Sequence, residues 1–348
     1  MPAVYVEDGR AIATNSMLSS FIRCPKQAEY KYVMRLKPKM LGKPLSRGKW
    51  VHELLEVHGN GGDWKEHHRK LSAKFEDLFD EEKDFYGDMP REIARVMMSY
   101  FWHYKNDPWK VLESELTLEC ELPDGTLFRC RIDWLIENQW GIWLVDHKTH
   151  KTLPDLTYRM LDTQSPRYVY AALANDIPVK GFIWNYIRWK APSVPKLLQD
   201  GSRLSRAKTE TDYPTFVKAL RRYELDPEDY RPQLDWLKSC RYVPGEPQNS
   251  SFFQRVVMEK QDDLLARVEK ATLKSVERMH EYDFSDSDAV ERDVETSCKY
   301  RCSFTELCAM ELLVGRRGVK NLLRQNYRVG DPLDYYQDRA GEILDGKE

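Results

Sequence analysis

Residues 109–189 leave few folds open, because they spell strand, turn, strand, strand, helix, strand in that order. VLESELTLECEL alternates apolar and polar side chains. Pro123-Asp124-Gly125 supplies a turn, and TLFRCRIDWLIE returns as the second arm of a hairpin. Asn138-Gln139 leads into WGIWLVDHK, a third strand with Ile142, Trp143, Leu144 and Val145 in a row. Residues 163–175 return to helix, and VKGFIWNYIRW is a fourth strand. This order predicts an α/β fold with a mixed central sheet flanked by helices.

The rest of the chain is read around that sheet. Residues 16–34 give two short helices, the second opened by Pro25 in its first turn, with Leu18, Phe21 and Tyr32 marking an apolar face. A helix follows at 46–58, with Ser46 as its N-cap. Two more, at 64–82 and 90–105, read as a helical insertion over about 59–108. After Trp189 the chain loosens into a substrate-contacting segment, about 190–250, that includes a helix at 212–224. A long helix is expected at 252–281, then a cysteine cluster at 298–308, with 311–348 as a basic tail. Residues 1–310 are expected to form one domain.

With 41% hydrophobic residues among 348, the chain can bury a large core and is far from a disordered composition. No apolar run reaches the length of a bilayer, and MPAVYVEDGRAIATNS lacks the basic-then-apolar order of a signal peptide. A cytoplasmic protein without a membrane partner is expected. The net charge is only −2, yet residues 187–223 carry nine Lys/Arg against three Asp/Glu, and 298–328 carry seven against two. Residues 76–88 reverse this, with seven acidic side chains against Lys83. Most such runs are solvated helix faces. Separate basic patches on a neutral total also suit an enzyme that grips a phosphate backbone and keeps carboxylates for metal.

The chemistry concentrates at Asp146-His147-Lys148, ending the third strand, with Asp133 in the strand before it. Side chains alternate along a strand, so Asp146 and Lys148 share one face. Two carboxylates beside a lysine make a hard-cation site for Mg2+ or Mn2+, of the kind phosphodiester hydrolysis uses. His52 lies on a helix with Glu53 beside it and Glu56 one turn on. Gln164 and Tyr168, four apart, are neighbours on one helical face.

Seven cysteines, an odd number, do not make a secreted disulfide scaffold. Cys298, Cys302 and Cys308 fall within eleven residues and offer three soft ligands. Cys24, before Pro25, is the natural fourth, and both zinc and an iron–sulfur cluster fit such a set. Cys120, Cys130 and Cys240 read as ordinary thiols.

In this order, Phe21-x-x-Cys24-Pro25, Gly48-x-x-x-His52, Asp133, Asp146-x-Lys148, Gln164-x-x-x-Tyr168 and the three late cysteines resemble the PD-(D/E)XK nucleases. The resemblance is to their RecB-like branch with a 4Fe–4S cluster, which includes AddB-type, CRISPR-associated and phage exonucleases. It implies a restriction-endonuclease-like core closed by the cluster. His52, Asp133, Asp146 and the main-chain carbonyl of His147 would face the metal. Lys148 would be the catalytic lysine, and Gln164 and Tyr168 would contact substrate. Cys24, Cys298, Cys302 and Cys308 would hold the cluster. Arg129-Cys130-Arg131 stands where that family usually has a glycine before the aspartate, and Pro166 must lie in the first turn of its helix. The implied activity is Mg2+- or Mn2+-dependent exonucleolytic cleavage of single-stranded or end-containing DNA. The setting would be recombination, repair or replication, with a protein partner from those processes. The rivals are a non-catalytic DNA-binding subunit that keeps the fold and cluster, and a zinc-bound structural protein.

Overall fold

The computed structural model describes residues 5–159, 161–205, 210–246 and 248–336. Its centre is a seven-stranded mixed sheet. A short hairpin, β1 (Val6–Glu7) and β2 (Arg10–Thr14), leads into α1 (Asn15–Arg23), where the Thr14 hydroxyl accepts the Met17 N–H. Next come α2 (Pro25–Ala28), a π turn at Glu29–Val33, and β3 (Leu36–Pro38). Then follow α3 (Lys43–Gly59), α4 (Trp64–Glu76), α5 (Asp80–Tyr86) and α6 (Met89–His103). The hairpin β4 (Lys110–Glu121) and β5 (Leu127–Asn138) and the strand β6 (Gly141–His150) lie where their alternation places them. After α7 (Leu156–Arg159), α8 (Gln164–Ala174) crosses over to β7 (Val179–Arg188), which runs parallel to β6.

Beyond β7 the order is α9 (Tyr213–Arg222), α10 (Arg231–Ser239), β8 (Phe253–Glu259), α11 (Asp262–Glu281), α12 (Cys298–Arg301), α13 (Thr305–Gly318), α14 (Lys320–Asn326) and β9 (Tyr327–Val329). Four expectations need correction here. Ser46 is not an N-cap, because α3 opens at Lys43 after Gly42 and Ser46 lies inside its first turn. The helix expected at 64–82 is two, α4 and α5. The long helix at 252–281 is a strand followed by a helix. Phe253 and Arg255 are buried from one face of β8, which pairs antiparallel with β7, and Gln261 caps α11. Residues 311–336 are also more than a bare tail: they finish α13, form α14, and place β9 antiparallel to β3. Positions 337–348 of that tail lie outside the described residues.

Period-2 alternation divides the core between the two sheet faces. Phe182, Trp184 and Tyr186 point from β7 into one cluster, with Leu18 of α1, Val169 of α8 and Met279 of α11. Ile183 and Ile187 point into the other, with Trp50 and Leu54 of α3 and Met97 of α6. Helix α3 lies close to the sheet at two glycines, Gly48 in its second turn and Gly59 at its end. A Cβ on Gly48 would come 3.2 Å from Thr149 Oγ1, and one on Gly59 would come 2.4 Å from Ser114 Oγ. Leu204, Phe216, Leu220 and Leu237 form a separate small cluster, with α9 and α10 contributing three of the four.

His103 is buried between the rings of Tyr104 and Phe253. Burial, with Arg255 and Arg241 nearby, lowers its imidazole to about 3. The unfolded chain takes up this proton below about 6.5. The stabilisation is therefore complete above that pH and is lost as acid is added. Between pH 7 and 5 the loss from this group should be about 2 kcal/mol. Denaturant unfolding at both pH values checks this: His103→Gln should show a smaller acid-induced loss than the parent, and an equal loss would remove His103 as a cause.

Candidate active site

The site forms where β5 changes partner. Its first residues pair in parallel with β2, Leu127 to Arg129 facing Ile12 to Thr14, and from Trp134 onward it pairs antiparallel with β6. Asp133 sits at that fork, where the strand edge is open to side chains. The register sets Trp134 opposite Val145, so Asp146 is next in line as β6 leaves β5. On the other side, Ser114 faces Trp134 and Leu116 faces Ile132, which puts Glu115 across from Asp133. Glu115, Asp133 and Asp146 therefore stand in a row over three adjacent strands.

Helix α3 brings His52 over this row, its Nδ1 3.4 Å from Asp133 Oδ2. The close approach at Gly48, one turn earlier, gives a physical reason for the Gly-x-x-x-His spacing. The same Asp133 oxygen accepts the main-chain N–H of His147 at 2.5 Å. Lys148 Nζ lies 2.6 Å from Asp146 Oδ2, and Gln164 at the start of α8 donates to Asp146 Oδ1 at 2.8 Å. Pro166 falls in the first turn of α8, where it displaces no helical hydrogen bond.

Other expected residues are placed differently. The His147 imidazole is buried on the opposite face from Asp146 and Lys148, with Nδ1 2.7 Å from Asn185 Nδ2 and its ring edge-on to Trp134. The Tyr168 ring is buried against Phe182, in the core beneath the site. The sequence reading missed Glu115 and Arg159. The Arg159 guanidinium lies 4.9 Å over Trp184, the ring that also carries Lys148 Nζ at 5.3 Å.

Glu115 is readable in hindsight. A hairpin turning at Pro123-Asp124-Gly125 pairs Glu121 with Leu127, and counting back six residues sets Glu115 against Asp133. Its backbone is left-handed, φ 55°, inside a strand. That conformation costs a non-glycine residue about 1–3 kcal/mol.

The electrostatics call for added positive charge. Burial opposes protonation of His52, but the carboxylates of Asp133 and Asp146 outweigh it and raise the imidazole to about 9. Burial, with Asp133 as a like-charged neighbour, pushes Asp146 up to about 6 and Glu115 up to about 7. Asp133 goes the other way: burial is overcome by His52, and its carboxyl is held well below the usual range. Protons are gathered where a divalent cation would supply the charge instead. In the structure cationic side chains meet these carboxylates: Lys148 Nζ lies 2.6 Å from Asp146 Oδ2, and Arg131 Nε contacts Glu115 Oε2. Nδ1 or Nε2 of His52 and one carboxylate oxygen each of Glu115 and Asp133 all lie within 4.8 Å of one another. A hard divalent cation fits this donor set.

At the far end of α1, Cys24, Cys298, Cys302 and Cys308 line one cavity of about 160 Å³. Gln27 Nε2 lies 3.6 Å from Cys302 Sγ. Cys120 and Cys130 are buried and free, and they do not face one another: Cys120 stands opposite Phe128 and Cys130 opposite Leu118, two register positions apart.

This arrangement is that of a nuclease core with a donor set of the kind that can hold a metal ion. The chain matches the PD-(D/E)XK nuclease superfamily over residues 13–309, and it belongs to that superfamily. Among solved structures it is similar to the crystal structure of SSO0001, at 12% identity over 87% of this chain and 88% of that one, with a TM-score of 0.31. It is also similar to a protein from Eubacterium rectale that bears the provisional name of exonuclease, at 15% identity over 66% and 82%, with a TM-score of 0.34. Both likenesses are remote. No curated protein matches the chain at a significant level. Among the described residues, no helix is long and apolar enough to cross a membrane.

Proposed function

We propose that the chain is an Mg2+- or Mn2+-dependent deoxyribonuclease that degrades single-stranded or end-containing DNA as an exonuclease, in recombination, repair or replication. The observation that carries this reading is the placement of the His52–Asp133 and Lys148–Asp146 pairs side by side, from one helix and two strands that part from one another at this point. His52, Asp133, Asp146 and the His147 carbonyl are the groups to hold the cation. When bound, the cation lowers the pKa of water and offsets charge on the phosphate. Gln164 fixes one oxygen of Asp146 and leaves the other toward Lys148. The Lys148 ammonium orients the attacking water and stabilises charge developing on the scissile phosphate. The lysine and both aspartates are present, which speaks against a non-catalytic DNA-binding subunit.

The four cysteines are proposed to hold a 4Fe–4S cluster. A tetrahedral zinc with Zn–S bonds of about 2.3 Å would draw its sulfurs to about 3.8 Å apart. Among the described residues, the ligand atoms gathered within 4.8 Å are those of His52, Glu115 and Asp133, whereas the cysteines ring a cavity of about 160 Å³. Four cysteines on the wall of one cavity supply the four thiolates that such a cluster takes.

End-labelled linear and covalently closed circular DNA, single- and double-stranded, should be incubated with Mg2+, Mn2+ or EDTA. Degradation of the linear substrates with the circles left intact on a gel, abolished by EDTA, is expected. Cleavage of closed circles at an equal rate would overturn the exonuclease assignment, and no cleavage of any substrate would overturn the nuclease one.

The nitrogen of His52 also predicts that Mn2+ supports cleavage at least as well as Mg2+, since imidazole suits the softer ion. His52→Ala should lower activity and narrow that preference. An unchanged Mn2+ to Mg2+ rate ratio would return His52 to an ordinary helix residue.

A further inference from the structure

We infer that Glu115 is a ligand of the divalent cation, completing a His52–Glu115–Asp133 set, with Arg131 as the counter-ion that holds its carboxylate when the cation is absent. This rests on the metal-dependent reading above and extends it to a strand that the expected ligand set does not use.

Three independent features converge on Glu115. The first is register: it stands across from Asp133 in the hairpin, on the side away from Asp146. The second is distance. Donor atoms on one octahedral ion with bonds of about 2.1 Å stand about 3 to 4.3 Å apart, and those of His52, Glu115 and Asp133 lie within 4.8 Å of one another. The third is backbone conformation. Glu115 has φ 55° in the interior of β4, between two regularly paired neighbours, Ser114 and Leu116. No glycine relieves that position, so the surrounding strands hold a strained residue beside the carboxylate row. Strain of this kind is typically kept at sites where it places a functional side chain.

The competing account is that Glu115 serves only as the ion-pair partner of Arg131. The two side chains are each about 11% exposed and in direct contact through Arg131 Nε and Glu115 Oε2. Yet that contact does not account for the whole placement of the carboxylate, because a Glu115 oxygen also lies within 4.8 Å of donor atoms of both His52 and Asp133. A cation arriving between His52 and Asp133 would compete with the guanidinium for the Glu115 carboxylate.

The two accounts differ in the sign of one substitution. If Glu115 is a ligand, removing its competitor frees it, so Arg131→Met should bind Mn2+ as tightly as the parent or more tightly. Glu115→Gln should bind Mn2+ at least tenfold more weakly. If the pair is only structural, both substitutions loosen the hairpin and weaken binding alike. The measurement is Mn2+ affinity of the full chain without nucleic acid, by titration calorimetry and by the paramagnetic resonance signal of free Mn2+. Thermal unfolding should be followed in parallel. In the double variant Glu115→Gln/Arg131→Met no charge is left without its partner, so it tests the point if Glu115→Gln alone folds poorly. It too should bind at least tenfold more weakly. Parent-like Mn2+ affinity in Glu115→Gln or in the double variant, with affinity lost in Asp133→Asn, would overturn the role of Glu115 and leave the metal site standing. Parent-like affinity in Asp133→Asn as well would overturn the underlying reading.

Discussion

Lys148→Met is expected to fold, bind DNA and bind Mn2+, yet cleave about 10²–10³-fold more slowly than the parent or worse. The ammonium lies 2.6 Å from Asp146 Oδ2 and is partly open to solvent, so it can reach a phosphate as well as a carboxylate. Methionine keeps most of the stem that packs toward the Trp184 ring, where Lys148 Nζ stands 5.3 Å from the ring centre. What it removes is charge and donor capacity at the moment the phosphate gains charge, which is where a positioned cation contributes most. Asp133→Asn should also lose cleavage, by another route. Its carboxylate is the common neighbour of His52 and the His147 N–H, so neutralising it should abolish Mn2+ binding as well. Single-turnover cleavage and Mn2+ titration on both variants separate the roles. Turnover within about tenfold of the parent in a folded Lys148→Met protein would remove the lysine from the chemistry.

How much of this was legible depends on the range of the interactions involved. The hairpin, β6, α8 and β7 were readable because each is specified by alternation or helical period within its own residues, and the turn at Pro123-Asp124-Gly125 is local chemistry. Asp133, Asp146 and Lys148 were readable for the same reason, because polar residues in otherwise apolar strands stand out locally, although the strands run on past them. Strand β8 was not. FQRVVME is followed at once by a strongly helical run, and what makes it a strand is the free edge of β7, far earlier in the chain. Strand β9 is similar: three residues near the end of the chain become strand by pairing with Leu36–Pro38. Glu115 lay between these cases. Its register followed from the hairpin, but its left-handed backbone and its approach to His52 depend on packing that no local pattern encodes. The fates of the His147 and Tyr168 side chains also depend on which sheet face each helix covers.

Cys24→Ala is expected to give a colourless, protease-sensitive and poorly soluble protein, whereas Cys240→Ala should stay brown and active. Cys24 ends α1, its N–H bonded to Ser20 O, and it precedes Pro25 at the start of α2. The other three cysteines come from α12, its C-cap and α13, so a cluster in their shared cavity would tie the two ends of the domain together. Closing so long a loop removes entropy from the unfolded chain, but that benefit grows only logarithmically with length. The metal–sulfur bonds themselves should therefore dominate. Little else holds this corner. Its apolar cluster is small, with Tyr30, Leu36, Phe304, Leu307, Val319 and Tyr327 buried. Beside it lies fully buried Lys26, 2.7 Å from Glu29 and 3.0 Å from Glu311, and such a network stabilises little if the groups around it shift. Losing one ligand should therefore release α12, α13 and the β3–β9 ribbon as a unit, and limited proteolysis should cut first between 282 and 330. The carboxylate row lies on the strands, apart from the cysteines, so hydrolysis needs no electron from the cluster. Iron, sulfide and zinc analysis of anaerobically purified protein decides the metal: stoichiometric zinc without iron would refute the cluster. A brown Cys24→Ala protein with full iron would instead move the fourth ligand elsewhere and leave the other three in place.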